Sequence, residues 1–391
     1  MSPATWPVPD LDDEVREVRG LLRPYAEEQL RPVADAAERD ATFPRHVVHD
    51  LAKLGALGLG FDEALGGSGG SHVGFCVAIE EVYRVSPGIA ASAFMSPLVA
   101  FDIVQSGNDA QRRRYVPPIL EGRTMAALGV TEPDAGSDVA SLRTTARRTP
   151  QGWRLDGSKA FITNAGLADV MVVLARTPDI GPRAISAFVV DLPTAGVTVE
   201  APLHKLGWRA SETNGVSFQG VELAEEAMLG EPGSGLAMVL GGFNLERATL
   251  AAGSVGMAQG ALDLALEHAR TRTQFNAPIA ARQAVRHSLA RAAARLEAAR
   301  QLTYRAAALV ANGTEGIAAA SMAKLVASEM AQDVTRTCVQ VHGGAGFMKE
   351  YAVERFYRDS MVMTIGGGTS EIQAEIIGRM LGLDERGPVQ P

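Results

Sequence analysis

The chain has 391 residues, 46% hydrophobic and 21% charged, an ordinary balance for a soluble globular protein and a length that predicts two or three domains sharing interfaces. Its formal net charge is −8 and the basic residues are scattered, which argues against a nucleic-acid binder or a polybasic membrane surface. Cys76 and Cys338 lie far apart, without a CxxC pair or histidines at ligand spacing, so neither a disulfide framework nor a metal site is expected. The acidic N-terminal stretch lacks the apolar core of a secretory signal, and no run of about 18 uninterrupted apolar residues is present, so a cytoplasmic protein is expected.

Residues 10–60 are predicted to be helical, with Leu11, Val15, Val18, Leu21 and Leu22 at three- to four-residue spacing and a further stripe over Val47, Val48, Leu51 and Leu54. The segment LGGSGGS at 65–71 lacks the Lys-Ser/Thr of a phosphate loop and follows no strand, so it reads as a flexible connection. Residues 72–105 predict one or two apolar helices, bent or broken at Pro87-Gly88 and Pro97. From about 125 to 230, short β-branched runs divided by Pro, Gly and Asn predict the strands of a barrel or sandwich. Helical periodicity then returns and holds to about 380. There Arg282, Arg286, Arg291, Arg295, Arg300 and Arg305 predict a solvated or subunit-facing stripe. Helix, sheet, helix in that order argues against an alternating dinucleotide-binding fold.

Two polar clusters stand out. Thr131-Glu132-Pro133-Asp134-Ala135-Gly136-Ser137-Asp138 follows the apolar run 126–130, and Phe161-Ile162-Thr163-Asn164 ends a strand-like run that begins near Trp153. Strands ending in hydroxyls, Pro and Gly offer N–H groups and oxygens at their tips, which suits a planar ligand such as a flavin. Composition alone favours reading them as two turn-rich loops. Further on, residues 236–257 predict a helix with Leu236, Val239, Leu240, Phe243, Leu250 and Met257 on one face, and Glu246 falls on that face. A carboxylate there is costly unless paired or used, and desolvation would raise its pKa. Arg247 follows directly, so a buried structural Glu–Arg network is the competing reading.

TEPDAGSD followed by LDGSKAFITN closely resembles the two middle-domain signatures of the acyl-CoA dehydrogenase family, and the resemblance runs over roughly residues 10–382. Lys205 to Ser211 matches a further segment, expected to be structural. The resemblance implies an α+β fold: an N-terminal helical domain over 1–124, a middle β-barrel over 125–231 and a C-terminal four-helix bundle over 232–391. It implies FAD as cofactor and α,β-dehydrogenation of an acyl-CoA thioester. In most relatives the base is a Glu just before Gly-Thr in the last motif. Here that motif reads Ile365-Gly366-Gly367-Gly368-Thr369-Ser370-Glu371, with Gly367 at the matching position. Either the chain is disabled or its base lies elsewhere. Asn244-Leu245-Glu246-Arg247 resembles the isovaleryl-CoA and long-chain branches, which carry the base on this helix and have Gly or Ala later, and this points to Glu246.

By the same resemblance, Leu128, Val130 and Thr131 would edge the flavin, Phe161 cover it and Thr163 donate near N5, with Gly136 and Ser137 beside the pyrophosphate or the pantetheine arm. Arg272, Gln274 and Phe275, together with Gln340, Gly343 and Gly344, resemble segments that hold FAD bound mainly to a neighbouring subunit. Thr369 and Glu371 open the last helix near the cofactor. Phe243, Arg247, Gly367 and Gly368 would contact substrate, with the Gly367 N–H on the thioester oxygen. The implied partners are acyl-CoA, an electron-transfer flavoprotein and further copies of this chain, as a homotetramer. Two alternatives remain: a dehydrogenase of an acyl or aminoacyl group tethered to a carrier protein, and a flavin-binding partner subunit without its own base.

Overall fold

The computed structural model describes residues 13–383; Leu11 of the first predicted stripe lies outside them. Six helices come first: α1 (Asp13–Tyr25), α2 (Arg31–Asp40), α3 (His46–Lys53), α4 (His72–Tyr83), α5 (Pro87–Ser106) and α6 (Asp109–Leu120). Helix α1 buries Val15, Val18 and Leu22 but leaves Leu21 exposed, so its apolar stripe is narrower than predicted. The expected flexible connection at 65–71 is instead folded on itself. Gly60 N–H donates to Gly69 O at 2.8 Å, Gly69 N–H donates to Phe61 O at 3.1 Å, and Ser71 caps α4 by accepting from Val73 and Gly74. Pro87 occupies the first turn of α5, where its missing N–H costs nothing. By length and composition α5 could cross a membrane, but 83% of its apolar window is buried inside the protein.

The middle of the chain forms β1 (Ala126–Gly129), β2 (Thr145–Thr149), β3 (Gly152–Thr163), β4 (Val170–Arg176), β5 (Ile185–Asp191), β6 (Val197–Val199), β7 (Thr213–Ala224) and β8 (Met228–Leu229). They make one eight-stranded sheet in the order β6-β7-β3-β2-β4-β5-β8, with β1 parallel to β4. Strand β4 reads VMVVLAR without polar alternation because both its faces are buried. Val170, Val172 and Leu174 meet Val99 and Ile103 of α5, while Met171 and Val173 meet Trp153 and Phe218 on the other face. Trp153 of β3 meets Phe188 of β5 edge-on at 5.5 Å although these strands are not neighbours, so the sheet curls around its own core as a barrel does. Its end strands, β6 and β8, do not pair with each other.

Five helices follow: α7 (Gly235–Thr271), α8 (Gln283–Leu309), α9 (Gly313–His342), α10 (Val353–Ser360) and α11 (Ser370–Met380), with a small hairpin of β9 (Thr273–Gln274) and β10 (Ala277–Pro278) between the first two. Helix α7 is far longer than the predicted 236–257. It lies close against α4 because Gly256 and Gly260 have no side chain: a Cβ at either would overlap the carbonyl oxygen of Glu80 or Arg84. The N- and C-terminal helices therefore share one apolar core. A buried polar network pins them together. Glu80 accepts from Arg300 Nε at 3.0 Å and from the Tyr304 hydroxyl at 2.5 Å, and Glu81 accepts from Arg19 and Arg23 at 2.8–2.9 Å. Arg300 thus leaves the predicted solvated stripe for a buried carboxylate, whereas Arg282, Arg286, Arg291, Arg295 and Arg305 are exposed.

Candidate active site

Ala160 N–H donates to Thr131 O at 2.9 Å, so the two polar clusters lie side by side at one edge of the sheet. Behind them Lys159, wholly buried, donates to Val130 O at 3.1 Å and to Glu132 Oε1 at 2.8 Å. Glu132 also accepts the N–H groups of Arg143 and Thr144 at 2.6 and 2.9 Å. It is therefore the buried anchor of the 131–144 loop and not one of its polar tips. Burial pushes the Glu132 carboxyl up, but the bonds from Lys159, Thr144 and Arg143 outweigh it and leave the group below its ordinary value.

The residues expected around the flavin occupy this edge. Phe161 presents its ring to solvent, 67% exposed, at a left-handed backbone angle of φ +60°, where the β3–β7 register shifts. Thr163 pairs with Thr213 and is half-buried, Val130 is buried, and Gly136 and Ser137 are exposed. Asn164 ties this edge to α5 by donating to Ser92 O at 2.8 Å.

On the other side of β1 is a narrow pocket with room for about one water-sized group. Met95, Leu98, Phe101 and Asp102 of α5 line it with Leu128 of β1 and Gly242, Phe243 and Glu246 of α7. The structure thus brings Leu128, expected on the flavin edge, into one pocket with Phe243 and Glu246. The Glu246 carboxyl makes no hydrogen bond or ion pair among the described residues. Burial raises its pKa, while Arg247 and Lys324 pull it down. Gly367, at φ +64°, faces the same carboxyl: a Cβ built on it would lie 3.6 Å from Glu246 Oε1 and overlap Leu250 Cδ1.

Lys324 of α9 holds this loop from inside. Its ammonium donates to Gly368 O at 2.6 Å, and Gln373 donates to Gly367 O and Gly368 O at 3.1 and 3.0 Å. Burial lowers the Lys324 pKa to about 8, although Glu246 opposes the shift. Gly368, expected to contact substrate, has its carbonyl engaged inward instead. Arg247 also departs from expectation. It is buried, donates to Asn244 Oδ1 at 3.0 Å, lies 5.7 Å from the Phe243 ring centre, and is not a lining residue of the pocket. The competing Glu246–Arg247 salt bridge is not formed among the described residues.

The other segments expected to hold cofactor gather elsewhere. The end of α7 and the end of α9 meet where His268 stacks on His342 with ring centres 4.4 Å apart. This brings the exposed Arg272, Gln274 and Phe275 together with the exposed Gln340, Gly343 and Gly344. Thr369 caps α11 by accepting from Ile372 N–H, and Glu371 beside it is exposed. Arg272 lies 26 residues beyond Glu246 on α7 and its cap, about 39 Å along the axis.

Sequence reasoning missed Asp102 and Lys324. Both are lone charges in apolar helical runs, LVAFDIV and SMAKLVA, the same signal that singled out Glu246. Asp102 is 6% exposed and faces Glu246; burial and that second carboxylate raise its pKa to about 8.

The residues fit a flavin dinucleotide. An exposed aromatic ring and the hydroxyls of Thr131, Thr163 and Ser137 share one edge, and the Ser370 hydroxyl at the start of α11 is buried without a hydrogen-bond partner. An α–β–α chain with this edge beside an apolar pocket and an unpaired carboxylate defines a flavin-dependent dehydrogenase. Models of the N-terminal, middle and C-terminal domains of acyl-CoA dehydrogenase match residues 12–123, 127–221 and 233–382. The chain is 39% identical over 373 residues to the caffeyl-CoA reductase-Etf complex subunit CarC of Acetobacterium woodii, covering 94% of this chain and 98% of that one. It is also 39% identical over 366 residues to an acyl-CoA dehydrogenase of Bacillus subtilis, covering 93% and 97%. The structure of butyryl-CoA dehydrogenase from Megasphaera elsdenii superposes with a TM-score of 0.91 at 34% identity, covering 95% of this chain and 99% of that one. The chain belongs to the acyl-CoA dehydrogenase family and is an FAD-dependent oxidoreductase.

Proposed function

We propose that the protein dehydrogenates an acyl-CoA thioester between Cα and Cβ, with Glu246 as the base that removes the Cα proton. The observation that carries this is the unpaired Glu246 carboxyl at the Gly367 loop. It reaches the space that a longer side chain at 367 would otherwise fill, so α7 supplies what the loop lacks. Its apolar walls keep water away and strengthen the basicity of the ionised form. The Gly367 N–H is the proposed donor to the thioester oxygen, where negative charge grows as the Cα proton leaves. Lys324 and Gln373 hold the loop carbonyls inward and so fix the direction of that N–H. Bound FAD would accept the β-hydrogen with its electron pair. Leu128, Thr131, Phe161 and Thr163 are the proposed flavin contacts within the chain.

The base on α7 with glycine at 367 supports placement in the isovaleryl-CoA and long-chain branch. An electron-transfer flavoprotein is the proposed electron acceptor, in keeping with the Etf complex in the name of the Acetobacterium woodii relative. The roughly 39 Å between Glu246 and Arg272 exceeds the span of one dinucleotide. Arg272, Gln274 and Phe275 with Gln340, Gly343 and Gly344 are therefore proposed to hold the FAD of a neighbouring copy, in a homo-oligomer, a tetramer by family pattern, acting in the cytoplasm. Anaerobic titration of the FAD-loaded protein with acyl-CoA thioesters tests the reaction. Bleaching of the flavin by at least one ester, abolished in Glu246→Gln with FAD retained, is expected. Bleaching that survives Glu246→Gln unchanged would reassign the base.

A further inference from the structure

Asp102 has no role in the reaction just described, yet it lies in the same pocket. It is one helical turn beyond Leu98 on α5 and points at α7. A Cβ on Gly242 would overlap Asp102 Oδ1, so the carboxyl rests against the α7 backbone one turn before Glu246. It is 6% exposed and makes no hydrogen bond or ion pair among the described residues. A buried polar group left in that state costs about 1–3 kcal/mol, and proteins rarely keep one without a partner. Apart from Glu246, no other lining residue carries a charge.

We infer that Asp102 forms a polar subsite in the acyl pocket that selects an acyl group bearing a hydrogen-bond-accepting oxygen, a hydroxyl or ketone, beyond Cβ. This inference rests on the proposed dehydrogenation at Glu246. The chemistry of the pocket excludes the other polar acyl groups. An acyl carboxylate would bring a negative charge beside Glu246 with no lining cation to receive it. An acyl ammonium would pair with Glu246 and quench the base, and the positive charges of Arg247 and Lys324, both felt at Glu246, would repel it. A neutral oxygen avoids both. Burial and the Glu246 charge keep Asp102 protonated at neutral pH, so it donates its O–H to such an oxygen. A four-carbon acyl group is the shortest that can carry an oxygen beyond Cβ.

The test compares butanoyl-CoA with 4-hydroxybutanoyl-CoA, which differ only in the oxygen. With the FAD-loaded enzyme, kcat/KM is expected to favour the hydroxylated ester by about 10- to 100-fold, the value of one well-placed buried hydrogen bond. Asp102→Leu is expected to reverse the preference. Asp102→Asn, which keeps a donor and serves if the leucine variant fails to fold, retains part of it. Any change in Glu246 caused by losing Asp102 acts on both esters and cancels in the ratio. Binding of both esters to FAD-loaded Glu246→Gln protein, which turns neither over, is expected to show the same preference and its loss on adding Asp102→Leu. Flavin bleaching by butanoyl-CoA with no hydroxyl preference, unchanged in Asp102→Leu, overturns the subsite and leaves the dehydrogenase standing. Bleaching by no thioester at all overturns both.

Discussion

Moving the carboxylate from α7 to the Gly367 loop tests whether the two positions address one point in space. Glu246→Gln removes the base with little change in volume. A positioned base contributes about 10²- to 10⁴-fold, or roughly 3–5 kcal/mol of barrier, so flavin reduction by the best thioester should slow by that factor. Adding Gly367→Glu places a Cβ 3.6 Å from where Glu246 Oε1 lay, close enough for a flexible side chain to reach the same spot. Two costs oppose it. The backbone at φ +64° disfavours a side chain by about 1–2 kcal/mol, and the new Cβ overlaps Leu250 Cδ1. Leu250→Ala clears the overlap; Leu250 is only partly buried, so its loss should cost near the lower end of about 2–5 kcal/mol. The triple variant Glu246→Gln, Gly367→Glu, Leu250→Ala is therefore expected to recover at least about tenfold over Glu246→Gln alone, a gain of roughly 1.4 kcal/mol. Stopped-flow measurement of anaerobic flavin reduction reads this directly. A folded, FAD-loaded triple variant no faster than Glu246→Gln, or a Glu246→Gln enzyme at near wild-type speed, would refute the reasoning.

Lys324→Met removes both a grip on Gly368 O and a cation that lowers the Glu246 pKa, so kcat should fall and the rise of rate with pH should move to higher pH in a pH–rate profile. Asp102 titrates at about 8 in the folded protein against 3.8 ordinarily, so it stays protonated while the unfolded chain ionises and the fold loses stability as pH rises between those values. Asp102→Asn abolishes that loss, and its advantage in denaturant melts should grow by up to about 1.4 kcal/mol per pH unit from pH 4 to 8. Glu80 runs the other way. Burial raises it, but Arg300, Arg19 and Tyr304 hold it below its ordinary value, so its contribution is present above that value and lost in acid; Glu80→Ala should cost about 3–5 kcal/mol at neutral pH, with the deficit shrinking on acidification. Co-assembly of Glu246→Gln with Arg272→Ala should restore activity to a mixture of two inactive proteins, because one of the two site types then has both residues intact; mixing without recovery would place Arg272 outside a shared site.

The fold was legible because its periodicities are strong, and it blurred where tertiary burial overrode them. The β4 run VMVVLAR announces a strand, but only the structure shows that α5 covers one face while the curled sheet covers the other. Arg300 sits at the spacing of its exposed neighbours and is still drawn inside by Glu80, 220 positions away in sequence, which no local pattern reveals. Glu132 stands in a motif full of turn formers and reads as a polar tip. Lys159, 27 residues on, makes it a buried anchor.

The site shows the same division at closer range. Glu246 was visible as a charge on an apolar face, and the identical signal at Asp102 carried no meaning until α5 and α7 were seen to face each other. A lone acid on one helix is ambiguous, since it is most often paired. Two unpaired acids facing one another across an apolar gap are not ambiguous in the same way, because each raises the cost of ionising the other. One of the pair can then be a base and the other a neutral donor, provided something distinguishes them. Here that is cation placement. Arg247 and Lys324 bias Glu246 towards ionisation, and Asp102 has no comparable cation beside it. The division of roles within the pocket thus follows from where the positive charges lie: Arg247 stands beside Glu246 in the chain, and the packing of α7 against α9 adds Lys324, while α5 brings no cation to Asp102.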